Sequence, residues 1–285
     1  MSAVRRIDAH HHLWDLSARP QDWLDGPELT LIRRDFGLAD LRAATGSAGV
    51  DATVLVQVLN DFDETVDFLA LAGKSDLIAG VVGWVDLTAS DVAEQLDRLR
   101  SGPGGDRLVS IRHLVQSEPD PDWLTRPDVL AGLRAVRDAG LAYDVLTRPH
   151  QLPAAVAAAR AVPDLVFVLN HLSKPDIASR LLGPWATQLA ALAAEPNVVA
   201  KVSGLVTEIG PQWTVEELWP YVDVALEVFG PRRLMAGTDW PVCLLAASYE
   251  DVLGAASQLC AGLSAGERDQ IFGATAARVY RLGAN

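Results

Sequence analysis

The sequence predicts an α/β protein built as a (β/α)8 barrel, and three observations carry that reading. Eight short Val/Ile/Leu-rich runs alternate with eight longer segments of helical periodicity. The short runs are almost continuously apolar, as strands of a parallel sheet covered on both faces must be. The connections are also asymmetric. Helix-to-strand links such as Ala48-Gly49-Val50-Asp51 are short, whereas the strand-to-helix links 13–37, 116–126, 172–183 and 204–213 are long. In a barrel the long set surrounds the C-terminal mouth, where active sites lie. At 285 residues one barrel or two ordinary domains would fit, but no Gly/Ser- or Pro-rich linker divides the chain. The expectation is one barrel domain over 1–285.

The elements follow in order. The first strand, 6–12, leads to a helix at 38–48; the second, 52–58, to one at 62–73; the third, 78–85, to one at 90–101 with Ser90 as its cap. The fourth strand, 108–115, precedes a helix at 127–139 that opens on Pro127, fixed in φ and suited to a first turn, and stops at Gly140. The fifth and sixth strands, 141–146 and 165–170, precede helices at 151–161 and 184–195, the latter with Pro184 in its first turn. The seventh, 198–203, leads to a helix at 214–229, where Thr214 followed by Glu217 forms a capping box. The eighth, 233–238, is followed by a helix at 247–262.

A formal charge of −13 lacks the basic footprint that nucleic acid requires and disfavours anionic membrane surfaces. The two cysteines, Cys243 and Cys260, form neither a metal-type nor a secretory spacing, and no run of 18 apolar residues or leader-like apolar stretch is seen. A soluble cytoplasmic protein is the expectation, with a homo-oligomer left open.

Chemistry concentrates at predicted strand ends. In an extended strand residues i and i+2 share a face, so His10 and His12 of Asp8-Ala9-His10-His11-His12-Leu13-Trp14 point one way and His11 the other. A histidine run alone is equally explained by a tag or a polar edge strand. Asp239, just beyond the eighth strand, and His171, just beyond the sixth, shift the balance toward a shared site. Arg112 shares a face with Ser110 and Leu114, while His113 falls on the more apolar face with Val109, Ile111 and Val115. Parity therefore sends Arg112 inward as an oxyanion partner or a barrel salt bridge. Lys201, inside an apolar strand, needs a buried partner or access to a cavity, and cavity access is the favoured reading. Asp144, Tyr143 and Gln57 could bind a hydroxylated ligand or serve structural hydrogen bonds. Tryptophans such as Trp14, Trp23, Trp84 and Trp240 are core residues by default, with sugar stacking as the alternative.

With these pieces in order, the chain resembles the amidohydrolase superfamily, in its amidohydrolase-related lactonase branch. The matching segments are Asp8–Trp14, Gly80–Asp86, Ile111-Arg112-His113, Asn170-His171-Leu172-Ser173-Lys174-Pro175, Lys201–Leu205, Gly237-Thr238-Asp239-Trp240-Pro241 and Ile271–Tyr280. The resemblance implies a distorted barrel with metal-ligand positions at His10, His12 and Asp239, catalytic positions at Asp239 and His171, and His113 as a weaker substrate-binding candidate beside Arg112, Lys201 and Asp144. Two positions that relatives with binuclear sites use, a strand-5 histidine and a strand-4 bridging Lys or Glu, have no counterpart. At most one divalent ion, zinc for preference, is expected, and the branch also includes members that work without metal. The leading functional expectation is hydrolysis of a small sugar-acid lactone. Its rivals are a metal-dependent decarboxylase of an aromatic carboxylate and a noncatalytic sugar-acid binding barrel.

Overall fold

The computed structural model describes residues 5–283. Eight parallel strands form one sheet in chain order: β1 (Ile7–His11), β2 (Ala52–Val56), β3 (Ile78–Gly83), β4 (Leu108–His113), β5 (Ala142–Val145), β6 (Phe167–Leu169), β7 (Val198–Val202) and β8 (Leu234–Ala236). The ring closes between β8 and β1 just past the strand ends. The Asp239 N–H donates to the His10 carbonyl at 2.8 Å, and the His12 N–H donates to the Trp240 carbonyl at 2.6 Å. The buried Asp8 carboxylate pins this seam by accepting from the Thr238 N–H (2.9 Å), the Thr238 hydroxyl (2.6 Å), the Tyr249 hydroxyl (2.9 Å) and the His10 N–H (3.0 Å). Barrel closure and placement of His10, His12 and Asp239 are thus one event.

Around the barrel lie α1 (Leu38–Gly46), α2 (Phe62–Ala72), α3 (Val92–Ser101), α4 (Pro127–Asp138), α5 (Leu152–Ala161), α6 (Gly183–Ala193), α7 (Val215–Phe229) and α8 (Tyr249–Leu259). The protein is a (β/α)8 barrel, as its periodicity predicts. Local chemistry also holds at several ends. Gly140 takes φ +68°, a left-handed conformation that suits glycine, and the Glu217 carboxylate accepts from the Thr214 N–H at 3.1 Å. One cap differs: Asp91 rather than Ser90 precedes α3. Two short helices that the sequence does not predict, α9 (Ala265–Asp269) and α10 (Thr275–Val279), follow, joined by a π-turn over Gln270–Ala274. Five-residue helices show too little periodicity to be recognised.

Those helices matter because they close the barrel opposite the mouth. Ala276 and Tyr280 pack with Ile7, Ala9, Val54, Val82, Val168, Val199 and Met235, the inward apolar residues of the strands. The outward residues, such as Leu55, Val81, Ile111, Phe167 and Val198, belong to the larger core beneath the helices. Alternation within each strand therefore assigns Ser110 and Arg112, Asp144, and Lys201 to the interior.

Candidate active site

His10 lies at the end of β1 and His12 just past it, His171 lies in the turn after β6, and Asp239 follows β8. The structure brings all four together. Asp239 Oδ1 stands 3.5 Å from His10 Nε2, 3.3 Å from His12 Nε2 and 3.7 Å from His171 Nε2, while the Nε2 atoms of His10 and His12 are 3.2 Å apart. The far side of each ring is held. His12 Nδ1 donates to the Val56 carbonyl at 2.8 Å, His171 Nδ1 shares a 2.9 Å hydrogen bond with the Ser203 hydroxyl, and His10 Nδ1 faces Lys201 Nζ at 3.2 Å. A lysine ammonium can only donate, and so can the Arg112 guanidinium, whose Nη1 lies 3.5 Å from His10 Nε2, so the two cations hold His10 neutral.

Beneath this cluster lies a fully buried polar layer. Lys201 Nζ pairs with Asp144 Oδ2 at 2.7 Å, both side chains being inaccessible to solvent. Asp144 also accepts from Ser110 (2.7 Å), the Asn170 amide (2.8 Å) and Tyr280 (3.0 Å). Arg112 donates through Nε to Gln57 Oε1 at 3.2 Å, through Nη2 to the Gln57 carbonyl and Oε1, and through Nη1 to Asn170 Oδ1 at 3.2 Å. Lys201 thus takes a buried partner, which corrects the favoured reading of cavity access, and Asp144 and Gln57 are committed to it and to Arg112. A strand alternates faces, but sequence does not say how deep each inward residue lies. Arg112 does point inward and reaches the cavity wall.

His113 lies outside the cluster. Its ring stacks on Trp123 with centroids 4.1 Å apart, accepts from Trp84 Nε1 at 3.1 Å and pairs with Glu118 at 2.7 Å. Tyr143 likewise points to the helix side and is wholly buried.

Burial governs the charges. It drives the His171 imidazole down to about 3, and it holds His10 well below its ordinary value with help from Lys201, His171, His12 and Arg112. His12 is lowered for the same reason, partly offset by its hydrogen bond with Asp239. For Asp239 burial works upward, but His171, His12 and Lys174 together outweigh it and leave the carboxyl at about 2. At neutral pH the cluster is therefore one carboxylate among neutral imidazoles. Those are the protonation states a metal requires. The 3.2–3.5 Å separations among His10, His12 and Asp239 match the edge, roughly 3.3 Å, of a tetrahedron with zinc–donor bonds of about 2.0–2.1 Å. His10, His171 and Asp239 also offer donor atoms within 4.8 Å of one another. The donor set fits one divalent ion.

His12, His171 and Asp239 form the floor of a cavity of about 510 Å³, with His10 fully buried behind them, and its wall includes Trp14, Trp23, Val58, Leu59, Arg112, Gln116 and Lys174. Trp23, 38% exposed, meets Trp14 edge to face at 5.6 Å, so an aromatic surface overlooks the carboxylate. Lys174 stands out in the sequence only as part of the Asn170–Pro175 motif, and its signal is a charged residue closing the turn after a barrel strand. It ends four consecutive left-handed residues, His171, Leu172, Ser173 and Lys174, with φ of 53°, 49°, 62° and 51°. Each such residue costs about 1–2 kcal/mol for an L-amino acid. The turn is anchored by Trp185 Nε1 donating to the Leu172 carbonyl at 2.8 Å and by a 2.9 Å hydrogen bond between Ser173 and Thr147.

A sequence model of the amidohydrolase family matches residues 7–282. The chain is 38% identical over 283 residues to an L-fucono-1,5-lactonase of Burkholderia ambifaria, covering 97% of this chain and 96% of that protein. It is 37% identical over 291 residues to an L-fucono-1,5-lactonase of Burkholderia multivorans, with the same coverage. A crystal structure of an amidohydrolase from Burkholderia multivorans with bound zinc superposes with a TM-score of 0.92 at 37% identity, over 98% of this chain and all of the other. Matched along its length in sequence and in barrel geometry, the chain belongs to the amidohydrolase family.

Proposed function

We propose that this protein hydrolyses a sugar-acid lactone to the open hydroxy acid. The single observation carrying this reading is the ionised, buried Asp239 among three imidazoles at the floor of a sugar-sized cavity, in a chain close in sequence to L-fucono-1,5-lactonases. A lactone closely related to L-fucono-1,5-lactone is the substrate class this supports.

Lactone opening needs an attacking water, a place for negative charge on the carbonyl oxygen, and a proton for the ring oxygen. Asp239 accepts the water's proton and returns it to the departing ring oxygen. A carboxyl at about 2 is a strong acid toward that alkoxide but a weak base toward free water. The Nε2 atoms of His171 and His12 face the same carboxylate oxygen and orient the water between them. Where one divalent ion is bound, His10, His12 and Asp239 hold it with His171 beside them, and it supplies Lewis-acid polarisation and a more acidic water. The walls of Trp14 and Trp23 offer an apolar face to the sugar ring, and Arg112 fixes the rim nearest β4. No observation favours carbon–carbon cleavage: the strand-5 position is Asp144, already committed to Lys201.

The test is proton release across a panel of aldonolactones of both ring sizes. Turnover of the best lactone with kcat/KM of about 10⁴ M⁻¹s⁻¹ or more is the expected result. No hydrolysis above background for any member would overturn the reading. Protein purified without chelators should carry no more than about one equivalent of divalent metal, measured by elemental analysis. Two stoichiometric ions would contradict the single-site donor set.

A further inference from the structure

We propose that Lys174 is the cation that receives the negative charge developing on the lactone carbonyl oxygen, an inference that rests on the lactonase reading. Three cations border the site, and their partners separate them. Lys201 is sealed below the histidines and neutralised by Asp144 at 2.7 Å. Arg112 is 2% exposed and spends its donors on Gln57 and Asn170, with Nη1 also 3.5 Å from His10 Nε2. Lys174 lines the cavity, yet among the described residues its ammonium has neither a hydrogen bond nor an ion pair. A half-buried lysine whose ammonium has no protein partner, in the wall of a substrate cavity, is placed to meet an anionic group of the ligand or of its transition state.

The local backbone supports this use. The left-handed turn that presents His171 to Asp239 ends at Lys174, whose N–H donates to the His171 carbonyl at 2.8 Å. One structural unit therefore sets two groups around the same space. The acidic neighbours are also accounted for. Glu208 lies 3.9 Å from Arg148 Nη1, and Asp239 faces the imidazoles. Burial lowers the Lys174 amine, while Asp239 and Glu208 pull it back toward the charged form. Lys174 and Asp239 line one cavity and form no ion pair with each other.

The step balances as follows. A water oxygen bonds to the carbonyl carbon, its proton passes to Asp239, and the carbonyl π electrons move to the oxygen that accepts from Lys174 Nζ. Collapse restores the carbonyl and breaks the ring C–O bond, and the proton on Asp239 moves to the ring oxygen. The new carboxylic acid then ionises, releasing one proton to solvent.

Lys174→Met should lower kcat by about 10²–10³-fold with KM changed only a few-fold, the usual consequence of removing one oxyanion donor. If that variant unfolds, Lys174→Asn carries the test, because asparagine tolerates left-handed backbone. Lys174→Cys should be as impaired, and treatment with 2-bromoethylamine, which rebuilds an ammonium on the thioether, should recover at least about a tenth of wild-type kcat, against about 10²–10³-fold loss without it. Wild-type protein treated alike is the control, since Cys243 and Cys260 are buried. A folded Lys174→Met within a few-fold of wild-type kcat overturns this inference alone, as does failure of the alkylated cysteine variant to recover. A wild type inert to every aldonolactone overturns the lactonase reading and this inference with it.

Discussion

Asp239 combines two properties that make it testable by a single atom. Its φ is +59°, a conformation asparagine adopts at least as readily as aspartate, so Asp239→Asn should leave the fold intact. The variant cannot cycle a proton, and lactone opening should fall by about 10²–10⁴-fold. Measurement of kcat beside thermal unfolding checks both halves, and near-normal turnover in a folded variant would move the shuttle to His171. Lys201 is the opposite case. Lys201→Met leaves Asp144 buried without its counter-charge, which should cost about 3–5 kcal/mol of unfolding free energy. Adding Asp144→Leu should return part of that loss, a double-mutant cycle that denaturant titration can read. At this scale the sequence named the right residue types, but Lys201 was legible only as a charge inside a strand and Asp144 only as a hydrogen-bonding group for a ligand or the structure. Their mutual pairing depends on β5 and β7 lying two strands apart across the barrel interior.

The elements that aim these side chains meet at glycines. Gly204, after β7, has φ +65°, and a Cβ there would stand 2.5 Å from His171 Nδ1 and 3.1 Å from Asp239 Oδ2. Gly204→Ala should therefore push the His171 ring off its place. A displacement of about 1 Å is worth roughly 10²-fold in rate. The expected result is a fall of that order in kcat/KM, with loss of stability from the positive φ as well. Full activity in Gly204→Ala would show that the His171 ring has slack the packing does not reveal. Strand parity was readable here: Ser110 and Arg112 inward, His113 outward against Trp123. The left-handed turn from His171 to Lys174 was not, because no glycine or asparagine marks its last three residues and tertiary anchors impose it.

Across the whole molecule, buried neutral histidines link stability to pH. His10, His11 and His171 have folded pKa values depressed by burial, His11 and His171 to about 3, against 6.5 when unfolded. Between these limits the unfolded chain binds the protons first, so stability is present above about 6.5 and is lost as pH falls toward 3. Glu64 runs the other way. Burial raises it to about 7, so its contribution is present below its ordinary 4.5 and is lost as pH rises through 7. His12 and His113 are lowered too, and Asp8 and Glu208 are raised with Glu64, so five histidines against three carboxyls predict a lower melting temperature at pH 4 than at pH 6.5, by about 5 °C or more at roughly 2–4 °C per kcal/mol. Calorimetry at the two pH values checks this, and Glu64→Gln should steepen the fall across 4.5–7. A melting temperature independent of pH over that interval would mean that the histidines are not buried as neutral groups.

What the sequence determined by itself was the repeat of strand and helix, the inward parity of His10, His12, Arg112 and Lys201, and the placing of the long loops at one end. Hydrophobic period and turn chemistry are local, and they carry that much. Tertiary structure alone decided which charges satisfy each other and which are left for a ligand. Lys201 and Lys174 are both lysines near strand ends, yet one is neutralised by Asp144 and the other faces an open cavity. The difference arises from depth in the barrel and from a backbone turn held by Trp185 and Thr147, contacts between residues far apart in the chain. The short C-terminal helices, too weakly periodic to announce themselves, send Tyr280 into the barrel from below to bond Asp144. Buried polar groups must find partners wherever the fold puts them. That pairing belongs to the closed barrel, and it sets the charge and geometry of the site.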